Sequence, residues 1–466
     1  MYLKKLNIRN FRCFGNYEIE FAPRVTVLFG KNGSGKTTLI HALHKALSFM
    51  MHSEKIKEKD PKTKKRKVVE EKTLRGGNPY VSVEGFSKTG EAHYDGVKRS
   101  DYTIEIKAEA NLDEQTPIEW AMSAYYIDSR LRKSEYKEAF NILYNWNQAT
   151  GKLPLLAYYS DGYPHYTNST KTKKEDSKER FLVNSFDESF GYTDWNTEMG
   201  CTNTWVSRLE TKIRTIENSK RRITTTENET VRKAALEDLE TAEKEVNYIV
   251  EVLKRFSKDD TYCDIESIEI SPYDAYLHIL DKNAKDRSFR KLPAGYKRMY
   301  SIVLDLAYRS FFLTNGERKD IGGVVFIDEI DLHLHPELEK VVLKRFMDTF
   351  PNLQFIVSTH SPLVLTGLET EGKPNRILQM NAETNAPQPI LWPDVYGLDY
   401  NTGLEDIMGV ESSDSEFKYL ISTCAFLRNK GLSNEAERIK NDIMIKYPKN
   451  EERLEELIIR AQKDLE

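Results

Sequence analysis

The run Gly30-Lys31-Asn32-Gly33-Ser34-Gly35-Lys36-Thr37 fits G-x-x-x-x-G-K-[ST] at every fixed position, a spacing that suits phosphate binding. Its three glycines let successive backbone N–H groups turn inward. A following helix N-terminus adds partial positive charge, so a polyphosphate is held without base-specific contacts. In that role Lys36 reaches the β- and γ-phosphates and Thr37 ligates Mg2+, while Asn32, Ser34 and Thr38 complete a cradle with Gly30, Gly33 and Gly35. Asp328 and Glu329 supply a hydrolytic half, because they follow the apolar run Val324-Val325-Phe326-Ile327 as expected at the end of a strand buried on both faces. Asp328 would hold the Mg2+ shell, and Glu329 would orient or deprotonate an attacking water. A second apolar run, Gln354-Phe355-Ile356-Val357, leads into Ser358-Thr359-His360-Ser361-Pro362, where His360 can sense a terminal phosphate by hydrogen bonding. His333 and His335 lie two apart with no third ligand in view, so no metal site is expected there.

These groups need strands to end beside one another and a helix to start at Lys36. Strands are predicted over Leu3 to Ile8, Tyr17 to Phe21 and Val25 to Phe29; Leu39, Ile40, Leu43 and Leu47 then fall at helical spacing. Further strands are expected at Tyr80 to Val83, Tyr102 to Ala108 and Leu153 to Tyr159. Residues 53–72 carry nine basic and five acidic side chains and read as a basic loop, either a solvated connection or a phosphate-contacting tip. At Trp205 the composition changes to charged helix formers. Leu236, Leu239, Val246, Val250 and Leu253 fall on a three/four spacing interrupted by Glu243, which fits either a helical hairpin or an ordinary amphipathic core helix. Beyond Asp394 strand character is lost, and helices are predicted over Phe417 to Asn429, Asn434 to Tyr447 and Glu451 to Leu465.

The expected fold is therefore α/β, a P-loop NTPase with a mixed sheet flanked by helices. Four parts are expected: an N-terminal lobe 1–204, a helical insertion 205–258, a second lobe 259–399 and a helical tail 400–466. With 466 residues, 39% hydrophobic and 30% charged, the chain has the composition of a globular protein with a heavily charged surface. No segment has the apolar length of a membrane span, and Met1 to Ile8 reads as a strand rather than a signal peptide, so a cytoplasmic location is expected. Cys13, Cys201, Cys263 and Cys424 lack the spacing of a zinc site or disulfide framework and read as reduced packing residues. With 69 basic and 73 acidic side chains, net −4, any nucleic-acid binding would use a local patch.

Asp328-Glu329 followed about thirty positions later by His360 resembles the Walker B and switch histidine of ABC-type ATPases. The opening Leu6-Asn7-Ile8-Arg9-Asn10-Phe11-Arg12-Cys13-Phe14 resembles the branch containing SMC, RecF and OLD-type proteins, which serves DNA transactions. The signature of that family, commonly Leu-Ser-x-Gly, has its counterpart in Leu292-Pro293-Ala294-Gly295-Tyr296-Lys297-Arg298. A closer resemblance is to the PtuA family of the Septu anti-phage system and its retron-linked relatives. It rests on Leu153 to Tyr159, Gly295 to Arg298, Asp328 to Pro336 and Val395-Tyr396-Gly397-Leu398-Asp399.

The resemblance implies a homodimer or higher homo-oligomer in which two copies sandwich Mg2+ and ATP, Gly295 of one offering its N–H to the γ-phosphate held by the other. It also implies a separately encoded nuclease partner of HNH type, DNA reached through that complex, and no membrane. Pro293 departs from the family pattern, because proline has neither hydroxyl nor N–H to give the phosphate. Retained nucleotide binding and dimer control with slow hydrolysis are expected. The alternative is a RecF-like DNA-repair ATPase acting directly on DNA; a transporter subunit fits less well.

Overall fold

The computed structural model describes residues 1–59, 66–74, 81–86, 103–125, 131–162, 183, 185–195, 202–317, 321–381, 387–398, 403, 407, 415–446 and 451–463. These fall into two compact units, Met1–Tyr396 and Gly397–Glu466.

The first unit is organised by runs that are buried at every position: β3 (Val25–Phe29), β8 (Leu155–Tyr159), β12 (Gly323–Ile327) and β13 (Leu353–Ser358). Continuous apolar character is what a parallel strand covered on both faces requires. With β14 (Asn375–Gln379) and β15 (Ile390–Leu391) they form a six-stranded sheet in the order β15-β14-β3-β13-β12-β8, antiparallel only at the β14–β15 edge. Strands of both expected ATPase lobes are thus interleaved within one sheet, β3 and β8 of the first among β12 to β15 of the second. Helix α1 (Lys36–Leu47) follows β3 and buries Leu39, Ile40, Leu43 and Leu47.

A second, antiparallel sheet runs β2-β1-β6-β7, from β1 (Tyr2–Phe11), β2 (Phe14–Glu20), β6 (Thr103–Asn111) and β7 (Pro117–Tyr125). One polar residue inside β13 joins the two sheets. Gln354, 1% exposed, accepts from Leu3 N at 2.7 Å and donates to Leu3 O at 2.8 Å and Ala22 O at 2.7 Å. These bonds satisfy buried backbone groups where the first strand crosses the core.

The structure corrects the sequence reading at several places. Residues 53–72 are not a loop: β4 (Ser53–Lys59) and β5 (Arg66–Thr73) pair as an antiparallel ribbon, while Lys62 to Lys65 lie outside the described residues. Alternating charges permit this, since Ser53 Oγ donates to Glu71 at 2.6 Å and Lys137, on helix α2 (Ser134–Thr150), pairs with Glu54 at 2.7 Å. Of the strand expected at Tyr80 to Val83, Val81 to Val83 are irregular and Tyr80 is outside the described residues.

The 205–258 segment is a hairpin of α3 (Thr202–Thr225) and α4 (Glu229–Ser257). Its buried seam is Ala235, Ala242, Val246, Ile249, Leu253 and Phe256, and Leu236 stays 48% exposed. The seam is displaced from the predicted one because Glu245 is buried as well. Its carboxylate accepts from Arg208 of α3 at 2.6 and 2.8 Å, which draws that face inward.

A three-stranded antiparallel sheet, β9 (Ile265–Ile270), β10 (Leu277–Asp281) and β11 (Asp286–Ser288), precedes the long helix α5 (Ala294–Thr314). Short helices α6 (Pro336–Glu339), α7 (Val342–Thr349) and α8 (Pro362–Thr366) cover the turns after β12 and β13.

The second unit contains α9 (Ser415–Asn429), α10 (Ser433–Lys446) and α11 (Glu451–Lys463), packed around Phe417, Ile421, Cys424, Ala425, Ala436, Ile443, Leu454 and Ile458. Cys424 and Cys263 are buried, Cys13 is half-buried, and Cys201 lies outside the described residues.

Candidate functional site

Parallel register brings the chemistry-bearing segments to one edge of the six-stranded sheet. Leu28 of β3 stands opposite Ser358 of β13, and Val357 stands opposite Ile327 of β12. Adjacent strands lie about 4.8 Å apart, so the start of the glycine-rich loop and Asp328 are roughly two strand spacings from each other. Thr359 N donates to Leu28 O at 3.0 Å, which carries this alignment past the last strand residue.

The loop has the backbone its glycines allow: φ is 145° at Gly30, 84° at Gly33 and 98° at Gly35. Gly30 also passes close to a neighbouring strand end, where a Cβ would lie 2.8 Å from Met380 O. Lys36 is buried, and its Nζ donates to Gly30 O at 2.8 Å and Lys31 O at 3.1 Å, curling over the loop. Ser34 is buried with no hydrogen-bond partner for Oγ, an orphaned group of the kind a bound phosphate satisfies. Asn32 and Thr37 are exposed and Thr38 is half-buried. The Thr37 hydroxyl and the Asp328 carboxylate are hard oxygen donors of the type Mg2+ takes when phosphates supply further ligands.

Asp328 is 4% exposed, and its backbone N donates to Tyr159 O at 2.8 Å. The Ser358 hydroxyl bridges the acidic pair, donating to Asp328 Oδ1 and accepting from Glu329 N at 2.8 Å. Arg298, buried on α5, donates to Asp161 O at 2.9 Å and to Asp328 O at 2.8 Å. Glu329 sits at φ 49°, a left-handed conformation that a non-glycine residue keeps only where its surroundings impose it. Burial first, and Asp328 second, push the Glu329 carboxyl above its ordinary value, while His360 opposes the shift. The direction suits a group that must accept a proton. His360 is exposed, and its backbone N donates to Asp331 Oδ1 at 3.3 Å; Thr359 Oγ1 donates to the same oxygen.

Ser358, Asp331 and Arg298 are therefore parts of the site that sequence reasoning missed. Ser358 and Arg298 were legible only as members of the segments around His360 and Gly295. Nothing in the sequence told which hydroxyl or guanidinium would point back toward Asp328.

Gly295 is the second residue of α5 and is buried. A Cβ there would lie 2.4 Å from His333 O, so the helix start packs directly on the turn that follows Glu329. Pro293 is the exposed N-cap residue and provides no side-chain cap; its carbonyl accepts from Lys297 N at 2.9 Å. His335 caps α6 by accepting from Glu337 N at 3.4 Å, and among the described residues no group of three His, Cys, Asp or Glu side chains could hold a metal ion.

The chain belongs to the AAA ATPase domain family AAA_15, whose profile matches residues 1–365, and it is an ATPase. It is 25% identical to the "Retron Vc95 probable ATPase" of Vibrio cholerae serotype O1 biovar El Tor, over 79% of this chain and 72% of that protein. It is 28% identical to the "Septu protein PtuA" of Bacillus thuringiensis, over 38% of this chain and 46% of that protein. Among solved structures, the SMC head domain from Thermotoga maritima aligns at 14% identity over 84% of this chain and 99% of that one, with a TM-score of 0.36. Among the described residues no helix is long and apolar enough to cross a membrane.

Proposed function

We propose that this chain is an ABC/SMC-like ATPase that controls a separately encoded nuclease of HNH type in bacterial anti-phage defence. The observation that carries the ATPase part is the single hydroxyl of Ser358, which joins Asp328 and Glu329 on the strand next to the glycine-rich loop. Lys36 and the loop amides of Gly30 to Thr38 bind the phosphates of ATP, and Thr37 and Asp328 hold Mg2+. The bound ion neutralises phosphate charge. Glu329 orients the attacking water and takes its proton, and His360 senses the terminal phosphate. Two copies close on the nucleotide, each giving the other the start of α5 at Gly295. Pro293 withholds a donor there, so hydrolysis is slow and the nucleotide acts chiefly as a switch.

One observation supports a partner that does the cutting: the relatives include a retron ATPase, matched over 72% of its length, and a Septu PtuA protein, matched over 46% of its length. The helices of Gly397–Glu466 are the proposed docking unit for the nuclease, and DNA is engaged through the complex.

Co-purification with the product of the adjacent reading frame, and DNA cleavage by the pair with and without ATP, test this reading. Native mass measurement should show ATP-dependent association that Glu329→Gln prolongs and Lys36→Ala abolishes. Tight, salt-sensitive DNA binding by this chain alone, with a replication gene next door, would favour the RecF-like alternative instead.

A further inference from the structure

Asp305 is a carboxylate with no exposed surface in the middle of α5. Oδ2 accepts from Tyr159 OH at 2.7 Å and from Arg309 Nε at 2.6 Å, and Oδ1 accepts from Trp205 Nε1. Arg309 is anchored in turn by Gly191 O at 3.0 Å and Thr193 O at 3.1 Å. A buried ion pair adds little stability over apolar side chains of the same volume, so stability does not explain the choice of residue. What a fully satisfied carboxylate provides is direction, because it fixes the side chains that bond to it. Here those side chains belong to three elements: α3, α5 and the last residue of β8.

The last of them matters for the reaction. Tyr159 stands opposite Ile327 in register, and its carbonyl accepts the N–H of Asp328 at 2.8 Å. Trp205, at the root of the helical hairpin and stacked on Tyr308 with 4.9 Å between ring centroids, is thus linked to Asp328 through one carboxylate and one tyrosine. We propose that Tyr159 and Asp305 are positioning residues for Asp328, and that Trp205 makes the hairpin root part of the same relay. This rests on Asp328 being the Mg2+ ligand.

The test uses the full chain and follows binding of a fluorescent ATP analogue at equilibrium while Mg2+ is titrated, so it needs no turnover. Tyr159→Phe removes one hydroxyl and keeps the ring; half-saturating Mg2+ should rise about fivefold, the scale of one lost hydrogen bond. The hydrogen bond from Trp205 Nε1 to Asp305 is removed by Trp205→Phe, which should shift half-saturation in the same direction by less. The double variant should shift no further than Tyr159→Phe alone, as members of one relay are not additive. Nucleotide affinity without Mg2+ should stay at the wild-type value throughout.

A lower melting temperature with wild-type Mg2+ dependence would make these residues merely structural and overturn the proposal. Additive shifts would remove the hairpin from it. Asp328→Asn is the reference: if it leaves the Mg2+ dependence unchanged, the assignment of the ligand has failed, whereas a shift in Asp328→Asn without one in Tyr159→Phe refutes the relay alone.

Discussion

Replacing Gly295 by alanine separates two reasons for a glycine at the start of α5. The added Cβ would lie 2.4 Å from His333 O and 3.2 Å from Leu334 Cδ2, and real Cβ atoms essentially never come within 3.0 Å of a heavy atom. A leucine tip can move, but a backbone carbonyl cannot move alone. Leu332 N donates to Glu329 O and Leu334 N to Asp331 O, both at 3.0 Å, and His333 already sits at φ 65°. The displacement therefore passes into the Glu329–Leu334 turn. Overpacking of this kind costs about 1–3 kcal/mol. Alanine's better helix propensity returns less than ~1 kcal/mol, because the position lies in the first turn. A net loss is expected, seen as a melting temperature several degrees lower and faster amide exchange over residues 329–335. Both are measured without nucleotide, where the proposed ATP-bridged pair of copies is not formed. Unchanged melting and exchange in Gly295→Ala, with only ATP-dependent association lost, would refute the packing argument.

Ser358→Ala strands Asp328 Oδ1 and the Glu329 N–H together; a loss of about 10- to 100-fold in ATP turnover is expected, and a rate within about twofold of wild type would show that the bridge is dispensable. Pro293→Ser restores a hydroxyl at an exposed N-cap, where serine is also a good cap, and should raise turnover by about two orders of magnitude. His44 is held well below its ordinary 6.5 by burial, with His41, Lys45 and Arg12 adding to the effect. The unfolded chain then takes up a proton that the folded one refuses, so stability is full above that pH and falls below it. Urea midpoints from pH 7 to pH 5 should decline less steeply in His44→Phe. In the C-terminal unit Glu455 is lowered from 4.5 to about 2 by Arg428 and then Lys440. Its stabilising contribution is present above 4.5 and lost as pH falls toward 2, which amide exchange in α9 to α11 should show and Glu455→Gln should abolish.

The core sheet was legible because a doubly covered parallel strand writes itself as an unbroken apolar run, as at Val25–Phe29 and Gly323–Ile327. The loop at Gly30 to Thr37 was legible because each glycine answers a backbone demand, shown by φ values of 145°, 84° and 98°. Polar partnerships were not legible. Glu245 reads as one more charge on a charged helix until Arg208 arrives from 37 residues away. Asp305 reads as a solitary acid inside an apolar helix, since its partners Tyr159 and Trp205 lie 146 and 100 residues off. The β4–β5 ribbon escaped for the opposite reason: with charges on both faces it has no apolar period to detect.

The same contrast bears on the proposal that the site binds nucleotide and turns it over slowly. Everything needed around Asp328 and Glu329 is built into one chain: Ser358 fixes the acidic pair, Arg298 holds the Asp328 carbonyl, and Glu329 is kept in its left-handed conformation. Such a half-site is preorganised before nucleotide arrives, so little is gained by further tightening it. The remaining stabilisation must come from whatever approaches the terminal phosphate from outside. In the proposed two-copy arrangement the start of α5 offers backbone N–H groups there, because Pro293 provides no side-chain donor and Gly295 packs against His333. Rate should accordingly respond to changes at Pro293 and hardly at all to strengthening contacts behind Asp328. Nucleotide affinity without Mg2+, which the proposal assigns to Lys36 and the loop amides, should respond to neither change.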